Sequence, residues 1–117
     1  MTITSSKIAK RQRMERSIAR AFIRSALAAG YTINVDNGGD EYELPTPTNS
    51  LRPVMKTMFA TDDERLYLFK NGQPDPFGWV YFTYGESGWD VICDYTINLE
   101  PLMGLANKLS DKYQDQE

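Results

Sequence analysis

Four arginines, Arg13, Arg16, Arg20 and Arg24, recur at intervals of three and four residues. On a helix this spacing gathers guanidinium groups along one side over roughly 16 Å, at 1.5 Å per residue. Such a stripe reaches several phosphates of a duplex backbone; the plainer reading is a solvated or internally paired polar face. Other clusters point to less. Asp90 and Asp94, on a regular strand, stand about 13 Å apart, too far for paired acid–base work; a surface acidic patch is the plainer reading. Asp36-Asn37-Gly38-Gly39-Asp40-Glu41 sets acids around a glycine turn. A calcium loop needs alternate oxygen ligands over about twelve residues and a late bidentate Glu, and Glu43 comes too early. There is no histidine and a single cysteine, Cys93. One copy of the chain therefore has no imidazole for general acid–base work or for activating a thiol, and no His/Cys zinc site. These counts predict no catalytic residues, no cofactor and no metal. Cys93 has no partner for an intrachain disulfide, and its apolar neighbours predict an inert core thiol.

The elements that must position these groups fit one domain. The chain has 117 residues and 13.4 kDa, with 41% hydrophobic and 25% charged residues, near the globular average. No apolar run approaches the roughly 18–20 residues of a membrane span. Charges interrupt the N-terminal segment where a signal peptide needs an apolar block, so a cytoplasmic location is expected. The net charge of −3 conceals a split. Residues 1–30 hold seven basic groups and one acid (Glu15), whereas residues 31–117 hold the other six basic groups and fifteen acids. A segregation of +6 from −9 marks an interaction element, or a basic helix lying on its own acidic domain.

Residues 6–29 contain no Pro or Gly, and Gly30 offers a left-handed stop. At 100° per residue Ile18, Phe22, Ala26 and Ala29 share a side with Ala19, Ile23 and Leu27, and the arginines and Lys10 take the other. Arg11 and Glu15 fall on the apolar side, so docking is expected from about Met14 and the start protrudes. Residues 31–35 alternate as a strand, and 41–44 read as its hairpin return, ended by Pro45 and Pro47. A short helix follows over 51–59, capped by Asn49 or Ser50. Strands over 65–70, 77–84 and 89–95 form a three-stranded meander, with turn glycines at Gly85 and Gly88. Asn98 is placed to cap a last helix whose apolar face is Leu102, Leu105, Ala106, Leu109 and Tyr113. The body spans about 31–113. The order α-β-β-α-β-β-β-α predicts an α+β fold: an antiparallel sheet, hairpin plus three-stranded meander, with helices packed on one face. Phe22, Trp79, Trp89, Val91, Leu102 and Leu109 are the expected core.

The strand over 77–84 is dense in aromatics on both faces, Tyr81 and Thr83 alternating with Val80, Phe82 and Tyr84. If helices cover one face only, Tyr and Trp surface remains on the other, the composition of a protein interface or a homodimer seam. Tyr81 and Tyr84 join the four arginines as candidate partner-binding residues. The block Phe77-Gly78-Trp79-Val80-Tyr81, Tyr84-Gly85, Gly88-Trp89-Asp90-Val91-Ile92, Asp94-Tyr95-Thr96 and Asn98-Leu99-Glu100-Pro101 resembles small proteins of tailed bacteriophages, prophages and related mobile elements. The corner Ala28-Ala29-Gly30-Tyr31 after a basic helix is similar to theirs. Each residue of the block also has a purely structural use in turns, anchors and caps. The resemblance implies a small accessory protein acting in the host cytoplasm, and carries over no catalytic residue. The expectation is a non-enzymatic protein that binds a host protein, and the resemblance implies counter-defence or takeover of a host process as its role; one variant is an acidic surface that mimics nucleic acid toward a basic host protein. The alternative is a nucleic-acid-binding accessory protein using the arginine stripe. Against it, no second helix with a short turn follows, so there is no helix-turn-helix, and the sequence pI is near 5.0.

Overall fold

The computed structural model describes residues 3–116. Helix α1 runs Ile3–Ala28, and Gly30 stops it at φ 94°. Among the described side chains Met14 is its first buried apolar residue, followed by Ile18, Ala19, Phe22, Ile23 and Ala26, so the helix docks where the apolar stripe begins. Strand β1 (Thr32–Asp36), helix α2 (Leu51–Thr57) and strands β2 (Asp63–Phe69), β3 (Gly78–Thr83) and β4 (Ile92–Tyr95) follow. A 3-10 segment over Ile97–Leu102 leads into helix α3 (Gly104–Asp115). The four strands form one antiparallel sheet in the order β1-β2-β3-β4. The class is α+β with helices on one face, as the residue pattern predicts.

Period-2 alternation divides the sheet. Ile33, Val35, Leu66, Leu68, Val80 and Phe82 are fully buried on the inner face and share one core with Ile18, Phe22, Ile23 and Ala26 of α1. Phe22 meets Phe82 edge-on at 6.4 Å. Val54 and Met58 of α2, and Leu99, Met103 and Ala106 near α3, complete the core.

Four expectations are corrected. Residues 41–44 form no strand. Asn34, 2% exposed, turns its amide to that segment instead: Oδ1 accepts the Leu44 and Val35 N–H groups, and Nδ2 donates to the Leu44 carbonyl. Glu43 N–H and a two-bond bridge between Ile33 and Thr48 close the rest of β1's free edge. Cys93 is exposed rather than a core thiol, because Phe82 pairs with Ile92 while Tyr81 pairs with Asp94, leaving Cys93 as an extra residue in a bulge. Asn98 caps no helix; its amide donates to the Phe77 carbonyl at 2.7 Å. Of the expected core, Phe22 and Val91 are buried, but Trp79, Trp89, Leu102 and Leu109 are only partly so. Trp79 lies on the opposite sheet face, and Trp89 lies in the turn before β4. Both turn glycines adopt positive φ, Gly85 at 93° and Gly88 at 96°. Gly88 is pressed against α1, where an added Cβ would lie 3.2 Å from the Arg11 carbonyl oxygen and from Met14 Sδ.

Candidate functional site

Three surfaces carry the chain's polar chemistry. The first is the outer face of the sheet, which no helix covers. Asn34, Tyr67 and Trp79 stand in one cross-strand row, and Asp36, Arg65, Tyr81 and Asp94 in the next. The Arg65 guanidinium lies 4.8 Å from the Tyr81 ring centre and 5.6 Å from that of Trp79. The Tyr81 hydroxyl donates to Asp63 Oδ2 at 2.5 Å, and that bond raises the pKa of the phenol. From the loop after β1, Tyr42 sets its ring edge-on against Tyr67 (5.4 Å) and Phe69 (5.9 Å) and stays 41% exposed. Asp36, Asp40, Glu41, Tyr42 and Tyr67 border a cavity of 360 Å³ there.

The second surface is the solvent side of α1. Arg13, Arg16, Arg20 and Arg24 are all exposed. Arg13, Arg20 and Arg24 fall within about 40° of one another at 3.6 residues per turn, on the side opposite the buried stripe. Arg16 borders this ridge and lays its guanidinium over the Phe59 ring at 4.4 Å. Among the described residues the one ion pair is Arg11 Nε to Glu15 Oε2, at 3.7 Å. The basic helix therefore does not neutralise itself on the acidic body: its apolar side docks, and Arg13, Arg20 and Arg24 point away.

The third is a cleft of 250 Å³ where α1 passes the end of the sheet, lined by Arg11, Glu15, Arg16, Phe59, Asp62 and Tyr84 among others. Two carboxylates are buried at this end. Glu15, 2% exposed, accepts the Gly85 N–H at 2.9 Å, and burial raises its pKa against the opposing pull of that bond and of Arg11. Glu64, also 2% exposed, accepts Phe59 N–H at 2.7 Å, Ala60 N–H at 3.4 Å and the Tyr84 hydroxyl at 2.6 Å. Phe59 sits at φ 70°, a strained value for a residue with a Cβ. Glu64 holds that turn in place. Tyr84, whose pKa is pushed far up by burial and by Glu64, is a permanent donor.

The predicted site residues are thus not one site. The four arginines share α1, Tyr81 lies on the outer face, and Tyr84 points into the cleft. Tyr42, Tyr67, Trp79 and Arg65 on the face, and Glu15 and Glu64 at the cleft, are the residues that sequence reasoning did not single out as site members. Glu15 did signal itself, as a charge on the apolar side of the helix. Among the described residues no three of Asp, Glu or Cys converge as a metal-holding group. Set against protein-family models, curated proteins and solved structures, the chain matches none.

Proposed function

We propose that this chain is a non-enzymatic accessory protein of a phage or related mobile element, which binds a host protein through the open face of its sheet. Counter-defence is the role that the resemblance of the Phe77–Pro101 block suggests. The observation that carries the reading is the outer face itself. Arg65 stacks beside Trp79 and Tyr81, and Tyr42 packs on Tyr67, the cross-strand neighbour of Trp79, with no helix above them. Tyr, Trp and Arg are the residues that dominate binding energy at protein interfaces, since they combine large contact area with a polar group. The test is affinity capture from host lysate with nuclease present. A host protein retained by the parent and lost by the pair Tyr42→Ala/Tyr67→Ser supports the proposal; retention by that variant overturns it.

A second reading has its own observation. Arg13, Arg20 and Arg24 form an exposed ridge without ion-pair partners among the described residues. In this reading α1 lies along a duplex backbone. Changing Arg13, Arg16, Arg20 and Arg24 together to Gln keeps helix propensity nearly level. It should flatten the salt dependence of duplex binding if the ridge is the contact. We expect the parent to bind duplex only weakly at physiological salt, because the excess of acids in residues 31–117 repels phosphate. Tight, sequence-selective gel shifts at that salt would promote this reading over the first.

A further inference from the structure

If the open sheet face is the docking surface, as proposed, its chemistry also describes the partner. Resting on that reading, we infer that the partner segment docking there is basic, and that it presents arginine side chains to the rings of Tyr42, Tyr67 and Tyr81. The face already holds one guanidinium in this manner: Arg65 stacks beside Tyr81 and Trp79 at 4.8 and 5.6 Å. Rings that accept one planar cation on a flat, open sheet have further π surface for another, and among the described residues no cation lies over Tyr42 or Tyr67.

Charge points the same way. Asp36, Asp63 and Asp94 flank Arg65 and Tyr81, three carboxylates to one cation. None of them is in an ion pair among the described residues. Each is nonetheless oriented. Asp36 Oδ1 accepts Gly38 N–H at 2.9 Å, Asp94 Oδ1 accepts Tyr95 N–H at 2.8 Å, and Asp63 Oδ2 accepts the Tyr81 hydroxyl. One oxygen of each is thereby anchored ahead of any partner, which lowers the ordering cost of binding. The 360 Å³ cavity at the β1 edge has Tyr42, Tyr67, Asp36, Asp40 and Glu41 on its walls and no basic residue. A guanidinium suits it better than an ammonium, since it stacks on a ring and donates in a planar fork to carboxylates. The acids disfavour a nucleic acid on this face.

The experiment uses the full chain and a short Arg-Gly repeat peptide as probe, with Lys-Gly and Glu-Gly repeats beside it. Binding is read by NMR and calorimetry at low salt. Saturable binding is expected, tighter for arginine than for lysine, with shifts at the Trp79 indole and the Tyr67 and Tyr81 amides. Asp36→Asn/Asp63→Asn/Asp94→Asn keeps an acceptor oxygen at each of the three positions, and should weaken the arginine probe roughly tenfold or more. It should also release the host protein captured by the parent. Equal affinity for the lysine probe, or shifts confined to other surfaces, overturns the inference. If the ring variant Tyr42→Ala/Tyr67→Ser loses the host protein while the Asn variant keeps it, docking stands and the basic partner falls. If both keep it, the docking reading itself falls. Concentration-dependent dimers in sedimentation that the Asn variant dissolves would mean that a second copy's α1 closes the face, and would overturn a foreign basic partner. Should the ring pair fail to fold, Tyr42→Ala alone, at an exposed ring, takes its place.

Discussion

Glu64 is the most consequential buried charge in the molecule, and a double-mutant cycle with Tyr84 tests that claim. Its carboxylate receives the Tyr84 hydroxyl at 2.6 Å and Phe59 N–H at 2.7 Å, with Ala60 N–H more weakly at 3.4 Å. Hydrogen bonds to a charged group contribute about 1.5–3 kcal/mol each. Those values are net of desolvation. Glu64→Ala should thus lose two strong bonds and one weak bond. It also leaves Phe59 N–H unpaired, and nothing holds the strained φ of 70° at that residue. The balance is a destabilisation of about 3–5 kcal/mol, a large share of the 5–15 expected for a small domain. Tyr84→Phe removes one bond and leaves the backbone donors, and should cost about 1–2 kcal/mol. In the double variant the hydroxyl bond is counted once, so the coupling should be about 1–3 kcal/mol. Urea titrations with unchanged slope give these values. A Glu64→Ala protein within about 0.5 kcal/mol of the parent, a change typical of exposed sites, or a coupling near zero would refute the assignment.

Glu15 carries a pH dependence. Burial raises its folded pKa above the ordinary 4.5, so its contribution to stability is full below that value and is lost as pH rises through the folded pKa. Glu15→Gln keeps an acceptor for Gly85 N–H, so its stability relative to the parent should climb from pH 4 toward neutrality, by at most about 1.4 kcal/mol per pH unit; thermal melts across that range that run parallel would refute it. Gly78→Ala would put a Cβ 2.5 Å from Thr96 Oγ1 and 2.9 Å from Asn98 Oδ1 and Leu99 Cγ, displacing groups that bond Trp79 N–H and the Phe77 carbonyl. It should cost about 1–3 kcal/mol, read as a lower urea midpoint. Cys93, exposed in its bulge, should react with a thiol reagent in the native protein as fast as in urea; a need for denaturant would remove the bulge.

Much of this architecture was legible because apolar spacing is the strongest local signal. The α1 wheel marked Met14 as the docking point and the arginines as the outer side, and both hold. Glu64 was legible in principle. Extending the alternation of Leu66 and Leu68 back by two residues puts it on the inner face, and only its place in the run Asp62-Asp63-Glu64 disguised it as surface. Trp79 shares parity with Tyr81, not with Val80 and Phe82, so its size suggested a core that its register denies. The missing strand over 41–44 was beyond local reading. It depends on Asn34 giving its amide to Leu44, a tertiary choice that turn propensity does not encode. The bulge at Cys93 likewise follows from pairing between strands, and one inserted residue reverses which side chains face inward.

The separation of charge in space ties the two surfaces together. Of 13 basic and 16 acidic residues, the described residues form one ion pair within 4.0 Å. A protein that used its charges for its own stability would interleave them, since even weak surface pairs form wherever opposite side chains are near. Here α1 packs through its apolar side on the inner face of the sheet. The arginine ridge thereby points away from the sheet, and Asp36, Asp63 and Asp94 point out from its other face. The hydrophobic pattern of one helix is what holds the opposite charges apart. A substitution that rolled α1 on its axis, such as Ile18→Arg, would do more than weaken the core. It would turn the basic side toward the acidic body and let the charges pair internally, and each outward-facing field would weaken. Loss of partner binding in such a variant, with the arginines and the aspartates all still present, would show that the binding surfaces depend on the docking of the helix as well as on the residues that compose them.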